Sequence, residues 1–471
     1  MRAVRDDRLR VLIAGGGVAA LEALLALRAL AGHLISVTLL APEPEIVYRP
    51  VTVAEAFGRA EARSYQIADI LADQHAEHVQ DSLEHVDPEV REVVTGAGAR
   101  IPYDALLVAT GARATAPFPG ALTFGGRADV PRLRALLDEL VNGTARSVAF
   151  ALAREQVWAL PLYELALMTA AHLREHASRA LVLVVTPEEE PLELFGPAAA
   201  LALRPLLAAL GITLHCSSMP ALVKDRELML VGGGGVFADR VVTLPLAEGP
   251  RLSGLPADKH GFIQVDTHGR VAGLSDVYAA GDITAFRLKQ GGLAAQQADA
   301  VAEAIAASAG AAITPRPFQP VLRGLLITAG APVYLRCEPH LLPRQVSVAI
   351  DAPHPRHNEA AASTVSDQAL WWPPAKIAGR YLAPYLATAR PVPLASELLR
   401  DRGAVPGSSV PDAERQDALE LALLLADGDA RWGDYRSALS ALEAAEALEG
   451  ALPPEYQTKR RIWMAEAAQQ P

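Results

Sequence analysis

The stretch RVLIAGGGVAALEALLALRAL, residues 10–30, decides how the chain is read. Val11 to Ala14 form a short apolar run of the kind that becomes a buried strand. Three glycines follow, and from Val18 onward the residues are helix formers. Strand, glycine turn and helix in this order set Gly15, Gly17 and Ala20 at G-x-G-x-x-A spacing. The first glycine allows a tight turn, the second lets backbone approach a pyrophosphate, and the small third residue lets helix pack on strand. The helix N-terminus offers unpaired N–H groups to the anion. The spacing predicts a dinucleotide site. An acid about 20 residues further on is needed for a ribose hydroxyl. Ala41 takes the expected slot, so Glu43 or Glu45 would have to reach back from the turn. Glu43 is assigned to the ribose, the competing reading being a solvated turn acid.

The same alternation continues outward. LISVTLLAPEPE is a second apolar strand stopped by Pro42, and IPYDALLVATGAR a third ending at Gly111. SVAFAL, a long helical run and RALVLVVTPEEEP repeat strand–helix–strand, which predicts parallel sheets with both faces covered. ADRVVTLPLAEGP and SDVYAAGDITAF return to strands, and KQGGLAAQQADAVAEAIAAS is helical. From Arg316 to about Pro393 prolines are frequent, and GLLITAGAPVYLR and RQVSVAI read as sheet. Beyond RGAVPGSSVPDAE the chain becomes rich in Ala, Leu and Glu.

Composition excludes several classes. A chain of 471 residues with half its residues apolar is a globular protein of two to four domains. A formal charge of −11 gives no basic field for nucleic acid. Two cysteines, Cys216 and Cys337, build neither a disulfide framework nor a cysteine-rich metal site. His354 and His357 in HPRHN, and His215 beside Cys216, lack further ligands at metal spacing, so no metal is expected. The N-terminus does not read as a signal peptide, and no apolar run reaches the roughly 20 residues of a membrane span. The expected location is cytoplasmic, with peripheral contact at the inner face of the membrane left open.

LLVATGAR and DVYAAGDITAF carry a resemblance. With the first glycine turn they resemble the signatures of the FAD-dependent pyridine nucleotide–disulfide oxidoreductase superfamily, over about residues 8–390. The resemblance implies FAD, held by Gly15, Gly17, Ala20, Thr110, Gly111, Gly281 and Asp282, with Pro50 of YRPVTVAEAF beside the ring. Within the superfamily the chain is most similar to the sulfide:quinone oxidoreductase and type II NADH dehydrogenase branch. KQGGLAAQQADAVAEAIA resembles the helix that points its N-terminus at the flavin. That gives Lys289 and Gln290 roles in tuning the ring. WWPPAKIAGRYLAPYL resembles the region that closes over it. Trp371 and Trp372 either anchor at a membrane interface or cover the C-terminal core.

Two departures bear on function. QVWALPLYELAL matches the stretch that carries a redox cysteine in sulfide:quinone oxidoreductases, yet Val157, Trp158 and Ala159 stand there. Tryptophan cannot act as a thiolate. The second turn, Ala149 to Glu155, has no glycine for a second pyrophosphate. Glu164 aligns with a glutamate near the nicotinamide of NADH-using relatives. Of the implied quinone motif, Gln296 and Gln297 survive while Gly292 replaces the upstream glutamine. Sulfide oxidation through cysteines is therefore not expected, and NAD(P)H is left open as donor.

The fold expected is α/β, with two Rossmann-like three-layer domains, a C-terminal α+β region and an appended helical tail. The FAD domain is expected at 1–115 and 240–315, and the second nucleotide-type domain at 116–239. A flavin-covering region would span 316–395, a linker 396–411 and the tail 412–471. In the tail, Gly433, Tyr435, Ala438, Leu442 and Ala445 resemble one tetratricopeptide repeat, which implies a protein partner or a dimer. The expected function is an FAD-dependent oxidoreductase passing electrons from an unidentified donor to a quinone or small acceptor. The alternative is a degenerate flavoprotein scaffold that binds partners through its tail.

Overall fold

The computed structural model describes residues 8–154, 157–338, 363–389 and 451–467, with isolated positions between 419 and 446. The chain opens with β1 (Leu9–Ala14), the glycine turn and α1 (Val18–Ala31), and returns through β2 (Ile35–Leu40). It passes to β3 (Glu77–Val79) and β4 (Ala105–Val108). A second run comprises β5 (Leu122–Thr123), α2 (Val130–Asn142), β6 (Ser147–Ala151) and α3 (Leu160–Glu175). It continues with β7 (Leu181–Val185), α4 (Pro197–Ala209), β8 (Thr213–His215) and β9 (Arg240–Thr243). The chain then re-enters the first sheet as β10 (Val277–Ala279) and continues into α5 (Gly291–Ser308). Next come β11 (Leu322–Leu326), β12 (Val333–Cys337) and β13 (Ser363–Ser366). Helices α6 (Leu382–Ala389) and α7 (Pro454–Ala467) complete the described regions.

The first sheet has the order β10–β4–β1–β2–β3, and every pair in it is parallel. The second has the order β5–β9–β6–β7–β8 and is also parallel throughout. Strands of such sheets are covered on both faces, which is why Val11–Ala14, Ala105–Val108 and Val148–Ala151 are apolar at consecutive positions and fully buried. Ala14 lies level with Leu40 on one side and Val108 on the other. The turns after these strands therefore open at one carboxyl edge, where ligands bind in doubly wound sheets.

α1 packs along α5, and both are small-residue helices buried over most of their length. One exception to their apolar character ties the fold together. Glu22 of α1, fully buried, accepts the backbone N–H groups of Tyr381 and Leu382, each at 2.7 Å. It caps the start of α6 and ties the C-terminal region to the first domain. β11, β12 and β13 form an antiparallel sheet, as the α+β reading requires. In the tail, Ala438, Leu442 and Ala445 are fully buried in one small core with Leu419, Tyr456 and Trp463, and Tyr435 packs against it. Glu155, RQVSVAI, the HPRHN histidines, the 396–411 linker and Gly433 lie outside the described residues.

Candidate functional site

The glycine turn is built as its spacing requires. Gly15 has φ +128°, and a Cβ on it would sit 2.2 Å from the carbonyl oxygen of Ala109. Only glycine lets the Ala109–Thr110–Gly111 turn lie directly on the first turn. Gly17 is the N-cap of α1 at φ −90°, and a Cβ there would meet nothing within 4 Å. The space in front of the helix N-terminus is open to an anion. Ala20 is fully buried against the strand. Glu43 is exposed, but its Oε2 lies 3.9 Å from where a Gly16 Cβ would be, so its carboxylate borders the turn. Glu45 is engaged elsewhere, accepting from Ser64 Oγ at 3.1 Å.

The second signature meets the first. A Cβ on Gly281, at φ +80°, would come within 3.0 Å of Ala19 Cβ and 3.5 Å of Ala294 Cβ. This glycine is what allows its turn to sit between α1 and α5. Its N–H donates to Gln297 Oε1 at 2.7 Å, and Thr284 Oγ1 donates to its carbonyl at 2.9 Å. Gln297 therefore braces the Gly281–Asp282 turn. Gln296 is held by Val321, with Nε2 to the carbonyl at 3.0 Å and Oε1 from the N–H at 2.8 Å. Both glutamines of the expected quinone motif are used in holding backbone.

Asp282 opens onto a cavity of about 720 Å³ together with Arg49, Pro50, Lys289 and Gly291. Its carboxylate receives no hydrogen bond from any described residue. Burial raises its pKa against the pull of Lys289 and Arg49. An acceptor of this kind suits ribityl hydroxyls. Gln290 also lines the cavity, but its amide is occupied. Oε1 accepts the Leu293 N–H at 2.7 Å as the N-cap of α5, and Nε2 donates to Arg323 O at 3.1 Å. It sets the helix N-terminus at the cavity wall. These features fit FAD: an open diphosphate turn, a half-buried carboxylate that opens onto the cavity, and a helix N-terminus at one edge.

Lys289 donates to Thr284 O at 2.5 Å and lies 4.0 Å above the Phe262 ring. Burial pushes its ammonium down to about 8, against the raising effect of Asp282 and Asp258. In the unfolded chain it ionises near 10.5. Its contribution to stability is therefore complete above 10.5 and lost as pH falls through about 8. The apoprotein should gain about 2–3 kcal/mol between pH 8 and pH 10.5, and Lys289→Met should abolish that gain. Urea midpoints across this range measure it, and parallel profiles for the two proteins would refute it.

On the far side of the cavity stands the second turn, where Arg154, Val157, Trp158 and Pro161 line the wall. Trp158 packs edge-on against Phe195 at 5.6 Å. Glu164 is fully buried behind the wall and does not line it. Lys376 Nζ reaches both of its oxygens, at 2.5 and 2.6 Å, and the Ile327 N–H donates at 2.7 Å. Burial drives Glu164 up and Lys376 down. This pair straps the C-terminal segment to α3. The next residue, Ile377, donates its N–H to Tyr48 Oη at 2.9 Å and packs against Gly291. The pair was missed in the sequence because its members stand 212 residues apart.

Neither cysteine lines the cavity. Cys337 is buried on β12 with its thiol raised by burial to about 11, and Cys216 is half-buried in the second domain. Trp371 is buried, with its indole N–H on Ala375 O at 3.0 Å, and so covers the core; Trp372 is 41% exposed. Among the described residues, no group of three His, Cys, Asp or Glu side chains could hold a metal, and no helix is long and apolar enough to cross a membrane.

Comparison with known proteins agrees with this geometry. The family model described as pyridine nucleotide-disulphide oxidoreductase matches residues 9–151 and 164–304. The gap between the two matched segments takes in Arg154, Val157 and Trp158 of the cavity wall. An NADH dehydrogenase-like protein of Mycobacterium tuberculosis is 28% identical over 303 residues, 59% of this chain and 74% of that protein. The sulfide:quinone oxidoreductase of Aquifex aeolicus superposes with a TM-score of 0.66 at 19% identity, covering 76% of this chain and 87% of that one. A ferredoxin reductase from Rhodopseudomonas palustris gives 0.53 at 21% identity, covering 70% and 82%. The chain belongs to the pyridine nucleotide-disulphide oxidoreductase family, and it is an FAD-dependent oxidoreductase.

Proposed function

We propose that this oxidoreductase moves electron pairs directly between a small donor and FAD, without a cysteine relay, and delivers them to a quinone or another small acceptor. The observation that carries this reading is the composition of the cavity wall. Trp158 stands where the resemblance would put a thiol, and both cysteines of the chain lie away from the wall. FAD, when bound, supplies the two-electron chemistry and links it to one- or two-electron acceptors.

The chain supplies position and field. Gly15, Gly17 and the α1 N-terminus bind the diphosphate, with Glu43 beside them for the ribose. Asp282 orients the ribityl chain. The α5 N-terminus, fixed by the Gln290 cap, favours negative charge at the cavity edge. Lys289 holds a proton that burial makes easy to release near neutral pH. Val157, Trp158, Leu160 and Ile377 line the wall with apolar surface that limits water. A quinone acceptor would agree with approach to a membrane surface through Trp372, and the tail core offers a place for a protein partner.

The test follows flavin bleaching by NADH, NADPH and sulfide in turn, before and after thiol alkylation and in the Cys216→Ser/Cys337→Ala variant. Whichever reductant bleaches the wild type should bleach the others at the same rate. Sulfide-driven bleaching abolished by alkylation or in the double variant would assign thiol chemistry instead.

A further inference from the structure

The second domain keeps a parallel sheet but not the fittings for a dinucleotide. Its turn runs Leu152, Ala153, Arg154, without the glycine that lets a pyrophosphate lie on backbone. Just beyond β7, where a ribose acid would be expected, Glu188 is only 2% exposed. Its carboxylate accepts from Tyr163 Oη at 2.6 Å, Thr186 Oγ1 at 2.9 Å and the Glu193 N–H at 3.2 Å. Those bonds turn it inward and leave it closed to a sugar.

What the turn does present is positive charge. Arg154 lines the same cavity as Arg49, Arg113 and Arg287. None of these four makes an ion pair or a side-chain hydrogen bond with a described residue. The lining holds two carboxylates, Glu248 and Asp282, and the charge of Lys376 is already matched by Glu164. Gly15 to Gly17 are not part of this lining, and Arg49 already acts on Asp282, which leaves Arg113, Arg154 and Arg287 as lining cations without a partner among the described residues. A guanidinium is weakly hydrated and pairs with a planar oxyanion through two parallel hydrogen bonds. A cleft lined by one sign of charge concentrates the opposite ion. Trp158 and Phe124 supply apolar surface on the same side.

We propose that the part of the cavity lined by Arg113 of the first domain and Arg154 of the second is a binding site for a compact organic carboxylate, and that this class rather than a nicotinamide dinucleotide is the co-substrate. The proposal rests on the direct-transfer reading above and names the substrate class for it.

The test is a titration of the full-length holoenzyme with benzoate, its neutral isostere benzamide, inorganic phosphate and NADH. Binding is read by calorimetry and by perturbation of the flavin spectrum. Benzoate should bind at least about tenfold more tightly than benzamide, and less tightly as salt rises. Arg113→Gln and Arg154→Gln should each weaken benzoate about tenfold, the loss of one charged hydrogen-bonding partner. Both side chains are exposed, so flavin content should not change. Arg132→Gln, on α2 away from the cavity, should leave binding intact. Equal binding of benzoate and benzamide, no benzoate binding, or no effect of either cavity variant would overturn the proposal. Phosphate binding as tightly as benzoate would reduce the site to an adventitious anion site. NADH binding that falls tenfold in Arg154→Gln would make the occupant a dinucleotide. Failure of the direct-transfer reading would appear instead as thiol-dependent bleaching and would leave the benzoate titration unmoved.

Discussion

Gly15→Val should yield a protein without FAD, destabilised by about 3 kcal/mol or more. Two effects combine at this residue. Its φ of +128° is a conformation that valine scarcely adopts, and its Cβ would fall 2.2 Å from the Ala109 carbonyl oxygen. Backbone cannot yield there without shifting β4, which ends one residue before Ala109 and pairs with β1. Gly17→Ala provides the contrast. Its φ of −90° suits any residue, and its Cβ meets no atom within 4 Å. Stability should change by less than about 1 kcal/mol, while FAD binding weakens at least about tenfold because the methyl enters the diphosphate space. Urea midpoints and the flavin-to-protein absorbance ratio separate the two outcomes. Stoichiometric FAD in purified Gly15→Val would remove the turn from the cofactor site.

Lys376→Met should cost about 3–5 kcal/mol at pH 8, because it leaves Glu164 as a buried carboxylate with one backbone N–H for company. In that variant Glu164 ionises only against a strong burial penalty, so its folded pKa lies above the unfolded value. Stability of the variant should therefore be present at low pH and lost as pH rises. The deficit relative to wild type should shrink from pH 8 to pH 5. Adding Glu164→Gln to Lys376→Met should recover most of it, since a neutral amide has no ion to desolvate. Chemical denaturation at the two pH values checks both statements. A pH 8 deficit under 1 kcal/mol would mean that the strap does not depend on the pair. The same variant should disturb the cavity, because Lys376 and Ile377 are both in its lining.

The parts of this molecule legible in its sequence are those written locally. Gly15, Gly17 and Ala20 act within one turn, so their spacing alone locates the tight turn and the open N-terminus of α1. The Ala109–Thr110–Gly111 and Gly281–Asp282 turns are also short; the structure packs one on the first turn and the other between α1 and α5. The strand runs were legible because parallel sheets bury both faces and need continuous apolar residues. What was not legible depends on distant partners. Gln297 reads as part of a quinone motif until it is seen bracing Gly281, 16 residues upstream. Gln290 reads as a flavin-facing residue until its amide is found capping α5. Glu164 reads as a residue near a nicotinamide until it is found buried behind the cavity wall with its carboxylate taken by Lys376. The cationic wall draws on four separate parts of the chain, none of which has an unusual composition.

The proposed direct transfer makes FAD the one redox centre of this chain. An anaerobic titration of the holoenzyme with dithionite, followed from 300 to 700 nm, tests it without needing the natural donor. Bleaching should be complete after one two-electron equivalent per FAD, with no thiols newly released and no change after alkylation. Uptake of a second equivalent, with thiols appearing as it is consumed, would place a redox disulfide beside the flavin and contradict the account.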